Sequence, residues 1–348
     1  MLLLWRRPPG TVAKDVQRAA FAICVGLTAA MLAWGVGVNR PDGSVYVSDL
    51  FQVWAGARAW LQHQDPYLAV GPGLAFESRF PQIYPMTAMV TVMPLALLPM
   101  RWADAIFVGL GFGAFVWAVT AKRMVTPALV ALVSLGGLMV LQTSQWSLLL
   151  TGGALLPGLG WLLIAKPTIG LALFAAFPRW KTAIGCGVML VLATMLWPPW
   201  IGEWRATWAS APHVVSPITR HAGPLVLLAL LKWRRADARL LLALACVPHT
   251  TAPYETIPLF LIAQTWPEAW GLWALGLLAY AAQWLSGPYA SQSAYWSSGA
   301  EWIVALLYLP CLAIVLSRPN VWTDGLHCDQ NERNTPSPAA VVAAPACL

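Results

Sequence analysis

A carboxylate and an amine set among apolar residues are the groups in this chain that could do chemistry. Asp49 opens the stretch SDLFQVWAGARAWLQHQDPY (48–67), just past a long apolar run. A carboxylate within hydrogen-bond reach of a hydroxyl can take its proton as that hydroxyl attacks. Asp49 and Gln52 also have the spacing of a capping box, with an acid in place of Ser or Thr. An acid there complements the helix dipole. The two roles are compatible, since a capped helix end fixes the acid in place. Lys166 lies in LLIAKPTIGL (162–171), with apolar residues on both sides. A lysine at membrane depth is costly and is a functional candidate by default, with snorkelling to the interface as its simpler explanation. Its natural partner is an anion such as a phosphate. His249 and Glu255 lie in CVPHTTAPYETIPLF (246–260), where Pro248, Pro253 and Pro258 break two apolar runs. Broken helices open polar groups to a cavity, and a histidine there can donate to a phosphate or bind an acceptor hydroxyl. Arg58, Arg79, Arg220 and His221 are further cations, though most loop arginines face headgroups.

The elements that must position these groups are helices in a membrane. The 348-residue chain is 59% hydrophobic and 10% charged, against about 25% charged in a soluble domain. Continuous runs such as AAFAICVGLTAAMLAWGVGV (19–38) have the length of a span, and lipid leaves no open backbone group satisfied. An all-α polytopic membrane protein with about 10–12 transmembrane helices follows. Residues 1–18 carry Arg6, Arg7, Lys14 and Arg18 against Asp15, which predicts a cytoplasmic N-terminus. Residues 19–316 form one transmembrane domain. Its outer loop (39–83) contains an amphipathic helix over 49–63 with apolar residues at three- and four-residue spacing, expected to lie in the interface plane. Residues 317–348 read as a disordered cytoplasmic tail. The runs 167–178, 222–231 and 239–250 are shorter than the ~20 residues a full span needs, so a cavity is expected beside them. Alternating the segments puts Asp49, Lys166, His249 and Glu255 on one side, outside. It puts Arg101, Arg179, Lys181, the 232–239 cluster and Arg318 inside, and leaves Lys122 and Arg123 as exceptions outside.

The net charge of +7 does not point to nucleic acid. The basic residues cluster at the ends of apolar runs, as in PRWK (178–181) and KWRRADAR (232–239), which is the positive-inside pattern. The six cysteines show no metal or disulfide spacing, and no acidic cluster exists to hold a cation. No cofactor and no obligatory metal are expected. Trp197, Trp200, Trp204 and Trp208 recur at spacings of three and four, which reads as an interfacial aromatic belt or as a stacking surface for a sugar or a lipid head. Gln142, Ser144, Gln145 and Ser147 form a polar patch between apolar runs, the usual glue between helices.

Five segments in order resemble glycosyltransferase family 87, polytopic enzymes of the GT-C type. SDLFQVWAGARAWLQHQDPY (48–67) is similar to the family's Asp-initiated helix and its Gly-x-Asp-Pro-Tyr-like turn, with Gln62 to Gln64 in the Gly region. IYPMTAMVTVMPLALLP (83–99) is similar to a Tyr-Pro-Pro start, with Met86 at the second Pro. SQWSLLL (144–150) resembles a Gly-Gln-x-Asn stretch, with Ser144 and Ser147 replacing Gly and Asn. LLIAKPTIGLALFAAFPRWKTA (162–183) and PHTTAPYETIPL (248–259) resemble the apolar-Lys-Pro-apolar hairpin and the outer-surface His segment. The resemblance covers about residues 45–265. It implies a GT-C-like bundle with an outer-face helix after the first span. It implies transfer of a hexose, mannose by analogy, from a polyprenyl-phosphate donor to a lipid or glycan acceptor. The site would face outside, the periplasmic side of the cytoplasmic membrane. Asp49 becomes the expected catalytic base, and Lys166 and His249 substrate contacts. Arg58, Tyr67, Tyr84, Gln145 and Glu255 complete the candidate substrate-binding set. A transporter or flippase for lipid-linked glycans, or a non-catalytic cell-envelope protein, is the alternative from another class.

Overall fold

The computed structural model describes residues 11–38, 48–210, 215–248, 250 and 252–321. His249, most of the expected tail, the first residues of the chain and part of the expected outer loop (39–47) lie outside the described residues. The chain begins with α1 (Thr11–Val38), which starts within the segment expected to be a cytoplasmic N-terminus. Then come α2 (Asp49–Leu61), α3 (Pro66–Ala69) and a two-residue parallel pair, β1 (Val70–Gly71) and β2 (Phe76–Glu77). Next are α4 (Met86–Ala96), α5 (Met100–Val119), α6 (Leu135–Thr143), α7 (Ser147–Leu155), α8 (Pro167–Ala176), α9 (Trp180–Leu196) and α10 (Trp200–Ser210). The last helices are α11 (Ala236–Cys246), α12 (Trp266–Leu285), α13 (Gln292–Ile303) and α14 (Leu309–Leu316), with a π-helical turn at Val304–Tyr308 joining the final two. Among them run 3-10 helices at Pro127–Val133, Gly160–Ala165, Gly223–Lys232 and Pro253–Leu261.

Among the described residues, three helices are long and apolar enough to cross a membrane: Ala13–Val36, Met100–Val119 and Ala294–Leu316. The bent pair α9–α10 makes a fourth if it is one span. The expected ten to twelve spans are therefore not matched by that many full-length helices. Proline explains much of the shortening, because it lacks an N–H and restricts the residue before it. Pro127, Pro167 and Pro253 each start a short helix, and Pro198 and Pro199 sit where α9 ends and α10 turns away by 96°.

Small residues hold α1 against α5. A Cβ on Gly26 would come within 2.8 Å of the Gly109 carbonyl oxygen, and one on Gly109 within 2.9 Å of the Gly26 carbonyl oxygen, so only glycine allows this approach. The pair is antiparallel. The Arg18 guanidinium lies 3.6 Å above the Trp117 ring and donates to the Trp117 carbonyl at 2.7 Å, while Trp34 and Trp102 meet at the other end with ring centres 4.3 Å apart. α7 then runs parallel to α5, since Gly111 faces Leu148 and Leu149 while Gly152 faces Ala114 and Phe115.

This packing sorts the charges by end. Arg179 donates to the Ala154 and Leu155 carbonyls at the end of α7. Arg239 donates to the Ala175 and Ala176 carbonyls at the end of α8. A buried network joins Arg235 to Asp237, and Arg318 to both Asp237 and Glu268. These groups share an end with Arg18 and with Lys122 and Arg123, which follow α5. Two sequence expectations are thereby corrected. Lys122 and Arg123 lie at the basic end, and Arg101 lies at the opposite one beside Trp102. The cause is α4, whose eleven residues are about 16 Å long and stop short of a crossing, which shifts the alternation by one.

α2 is also not a helix with one exposed face. Leu50, Gln52, Val53, Trp54, Ala55, Gly56, Ala57 and Ala59 are buried, so its faces pack against protein, mainly α4 and α3. The capping box does not form either. Ser48 is the N-cap, with no side-chain cap bond. Its hydroxyl donates to Asp104 at 3.1 Å, and the Gln52 amide donates to Ser78 and Phe80.

Candidate active site

Freed from capping, the Asp49 carboxylate points to tertiary partners. Its Oδ2 accepts from the Tyr84 hydroxyl at 2.5 Å and from Lys166 Nζ at 3.4 Å. Tyr84 precedes Pro85, the N-cap of α4, and Pro85 restricts its backbone to extended conformations. Its buried ring packs against Trp146 at 6.4 Å. Lys166 joins the 3-10 helix Gly160–Ala165 to α8. Its Nζ also lies 3.3 Å from Glu255 Oε1 and stands over the faces of Tyr254 and Tyr84, at 5.0 and 5.8 Å. Aromatic faces are attractive to a desolvated cation. The Glu255 side chain is 3% exposed, Lys166 12% and Asp49 32%. Glu255 Oε1 accepts from Thr250 at 3.3 Å, while Oε2 is buried with no partner among the described residues.

The lysine does not snorkel. It ends in a cluster of two carboxylates, where one ammonium cannot balance both. Beside the cluster lies a cavity of about 540 Å³. Tyr84, Lys166, Tyr254 and Glu255 form one wall, with Thr168 on the first turn of α8. Trp204, Arg205 and Trp208 from α10 form another. Trp200, Trp204 and Trp208 meet in sequence along α10, the first pair tilted and the second edge to face, and Trp204 is anchored by donating to the Ile83 carbonyl at 2.8 Å. The lining is mainly apolar, with an ammonium, a guanidinium, the Glu255 carboxylate and the hydroxyls of Tyr84, Thr168, Thr250 and Tyr254 among it; its two cations in apolar walls suit an amphiphilic anion.

The structure brings four of the expected site residues together: Asp49, Tyr84, Lys166 and Glu255. Tyr67 stands one layer behind, its buried hydroxyl donating to the Tyr84 carbonyl at 3.2 Å. Burial pushes the Tyr67 phenol well above its ordinary pKa, so it stays an O–H donor. Gln145 is buried beside Trp146 and contacts Thr143, with its Oε1 unpartnered. Arg58 is not brought to the cluster. It lies in the last turn of α2, over the Trp54 ring at 4.9 Å, about 13 Å along the axis from Asp49. Tyr254 and Thr168 were not singled out from the sequence. Their one signal was position, next to Glu255 and Lys166 at helix breaks. Among the described residues no group of three His, Cys, Asp or Glu side chains is placed to hold a metal ion.

No protein-family model, curated protein or solved structure matches the chain. Fold and composition define an all-α membrane protein with several apolar helices that can span a bilayer. Its most chemically distinctive feature is the carboxylate–lysine–carboxylate cluster, of which Lys166 and Glu255 line a mainly apolar cavity.

Proposed function

We propose that this protein is a glycosyltransferase that uses a polyprenyl-phosphate sugar as donor. The observation that carries the reading is Lys166, held between Asp49 and Glu255 at the edge of the cavity. The apolar walls suit a lipid carrier, and Lys166 with Arg205 suits its phosphate. Asp49 is the more exposed carboxylate of the cluster and is oriented by Tyr84, as a general base must be. An acceptor hydroxyl oxygen would attack the anomeric carbon as the bond to the phosphate oxygen breaks. Asp49 would take the hydroxyl proton, and Lys166 would stabilise the charge left on the polyprenyl phosphate. In-line attack would invert the anomeric centre. The acceptor would be a lipid or glycan, and the sugar a hexose, with mannose suggested by family resemblance alone. If the basic end faces the cytoplasm, the cluster opens outward, toward the periplasmic side.

The test is transfer from a panel of radiolabelled polyprenyl-phosphate sugars in membranes. Asp49→Asn should lower transfer by about 10²- to 10⁴-fold while donor binding persists. A folded Asp49→Asn protein with full transfer activity removes the assignment. One observation favours a second reading, transport of lipid-linked glycans. Lys166 sits at a break between a 3-10 and an α segment and Glu255 in the first turn of a short 3-10 helix, as residues of transporter sites do. Glycan flux across sealed vesicles without bond transfer would select it.

A further inference from the structure

The cluster holds a buried carboxylate that the proposed transfer does not use. Asp49 and Glu255 both contact Lys166, so two negative charges share one positive charge. Asp49 has other support, from the Tyr84 hydroxyl and from its partial exposure. Glu255 has little. Thr250 donates to one oxygen, the other has no partner among the described residues, and the side chain is almost wholly enclosed. We infer that Glu255 occupies Lys166 only while the site is empty, and that binding of an anion at Lys166 places one proton on Glu255. This deepens the reading of Lys166 as a phosphate contact and rests on it.

Charge counting carries the argument. The empty cluster has a net charge of −1. A bound phosphodiester adds another beside Glu255; Arg205 stands on the facing wall of the cavity, and a third negative group crowded around one ammonium in an apolar enclosure is costly enough that a buried group neutralises instead. Protonation returns the total to −1. It also turns Glu255 from an acceptor into a group with an O–H donor, so repulsion of the anion becomes a hydrogen bond to it. Glu255 is the group in reach with the weakest alternative support. The elements packed on its 3-10 helix bring little charge. α6, α7 and Pro127–Val133 contain no ionisable residue. Asp237 and Arg239 of α11 and Glu268 of α12 are engaged at the basic end. Arg205 on the facing wall of the cavity, Tyr280 of α12, Tyr84, Tyr254 and the buried Tyr308 are further charged or titratable neighbours. His249 lies outside the described residues, and the test therefore includes it.

The probe is methyl citronellyl phosphate, a short prenyl phosphodiester whose single charge does not titrate near neutrality. Its binding to the full-length protein in detergent is measured by calorimetry in buffers of different ionisation enthalpy, which counts protons. Wild type should take up about one proton per ligand, and its affinity should fall about tenfold per pH unit wherever Glu255 is ionised in the empty protein. Glu255→Gln should bind with no uptake and a flat pH profile. Asp49→Asn and His249→Gln should keep the uptake. An infrared difference spectrum should show a protonated-carboxyl band on binding the diester but not on binding citronellol, and Asp49→Asn should retain it. That band decides the matter if Glu255→Gln fails to fold. Uptake that survives Glu255→Gln, or that His249→Gln abolishes, overturns the inference. Diester binding without uptake overturns the exchange alone and leaves Lys166 as an anion site. No binding at any pH removes the anion site and both readings with it.

Discussion

One ammonium serving two carboxylates makes Lys166 the most sensitive single position in the molecule. Lys166→Met would leave Glu255 buried beside an apolar chain with no counter-charge. Removing one partner of a buried pair typically costs about 3–5 kcal/mol. Adding Glu255→Gln removes the stranded charge, so the double variant should recover most of the loss. Thermal unfolding of wild type, both single variants and the double variant, taken as a cycle, measures this. A loss in the double variant equal to the sum of the two single losses would show that the two residues are not coupled. Both were legible as unusual, Lys166 by its apolar flanks and Glu255 by the prolines around it. Their pairing was not, because contacts between residues far apart in sequence leave no local pattern. Asp49 shows the opposite failure. Its spacing to Gln52 satisfies a local capping rule, yet Ser78 and Phe80 take the Gln52 amide while Tyr84 and Lys166 take the Asp49 carboxylate.

Elements were legible where periodicity and proline speak, and misplaced where burial overrides them. The helix over 49–61 was expected from its spacing, but not its setting. An apolar stripe identifies one buried face and says nothing of small residues such as Ala55, Gly56 and Ala59 that let the other faces pack too. The length of α4 was misjudged for a related reason. An apolar run continues to the end of a segment whether or not the helix does. Ser144 offers a test at this scale. It ends α6 in the left-handed region, with φ of 48°, a conformation that costs a non-glycine residue roughly 1–2 kcal/mol. Ser144→Gly should therefore raise stability by about 1 kcal/mol, seen as a higher unfolding midpoint in detergent. A lower midpoint would mean that the serine side chain contributes more than the backbone conformation costs.

At the scale of the whole molecule, the two ends differ in kind. One gathers arginines onto the C-terminal carbonyls of α7 and α8, and the other carries Asp49 and Glu255 around Lys166. The sequence marked this polarity through the basic ends of its apolar runs, but not the parity error at α4, since counting segments cannot show which of them cross. Helix α8 joins the two ends directly. Lys166 caps its start and Arg239 binds its last carbonyls. Its ten residues span about 15 Å, half of a hydrocarbon layer about 30 Å thick. If Arg239 sits at headgroup level, a lipid phosphate reaches Lys166 only where the surrounding leaflet is thin or drawn inward. Such deformation costs fractions of a kcal/mol per Å of mismatch, enough to make binding depend on the host lipid. In vesicles of increasing acyl-chain length, affinity for a prenyl phosphodiester should decline steadily, whereas a flat response would mean that water already reaches that depth. A membrane's thickness would then set the working rate of this protein with no change in any of its residues.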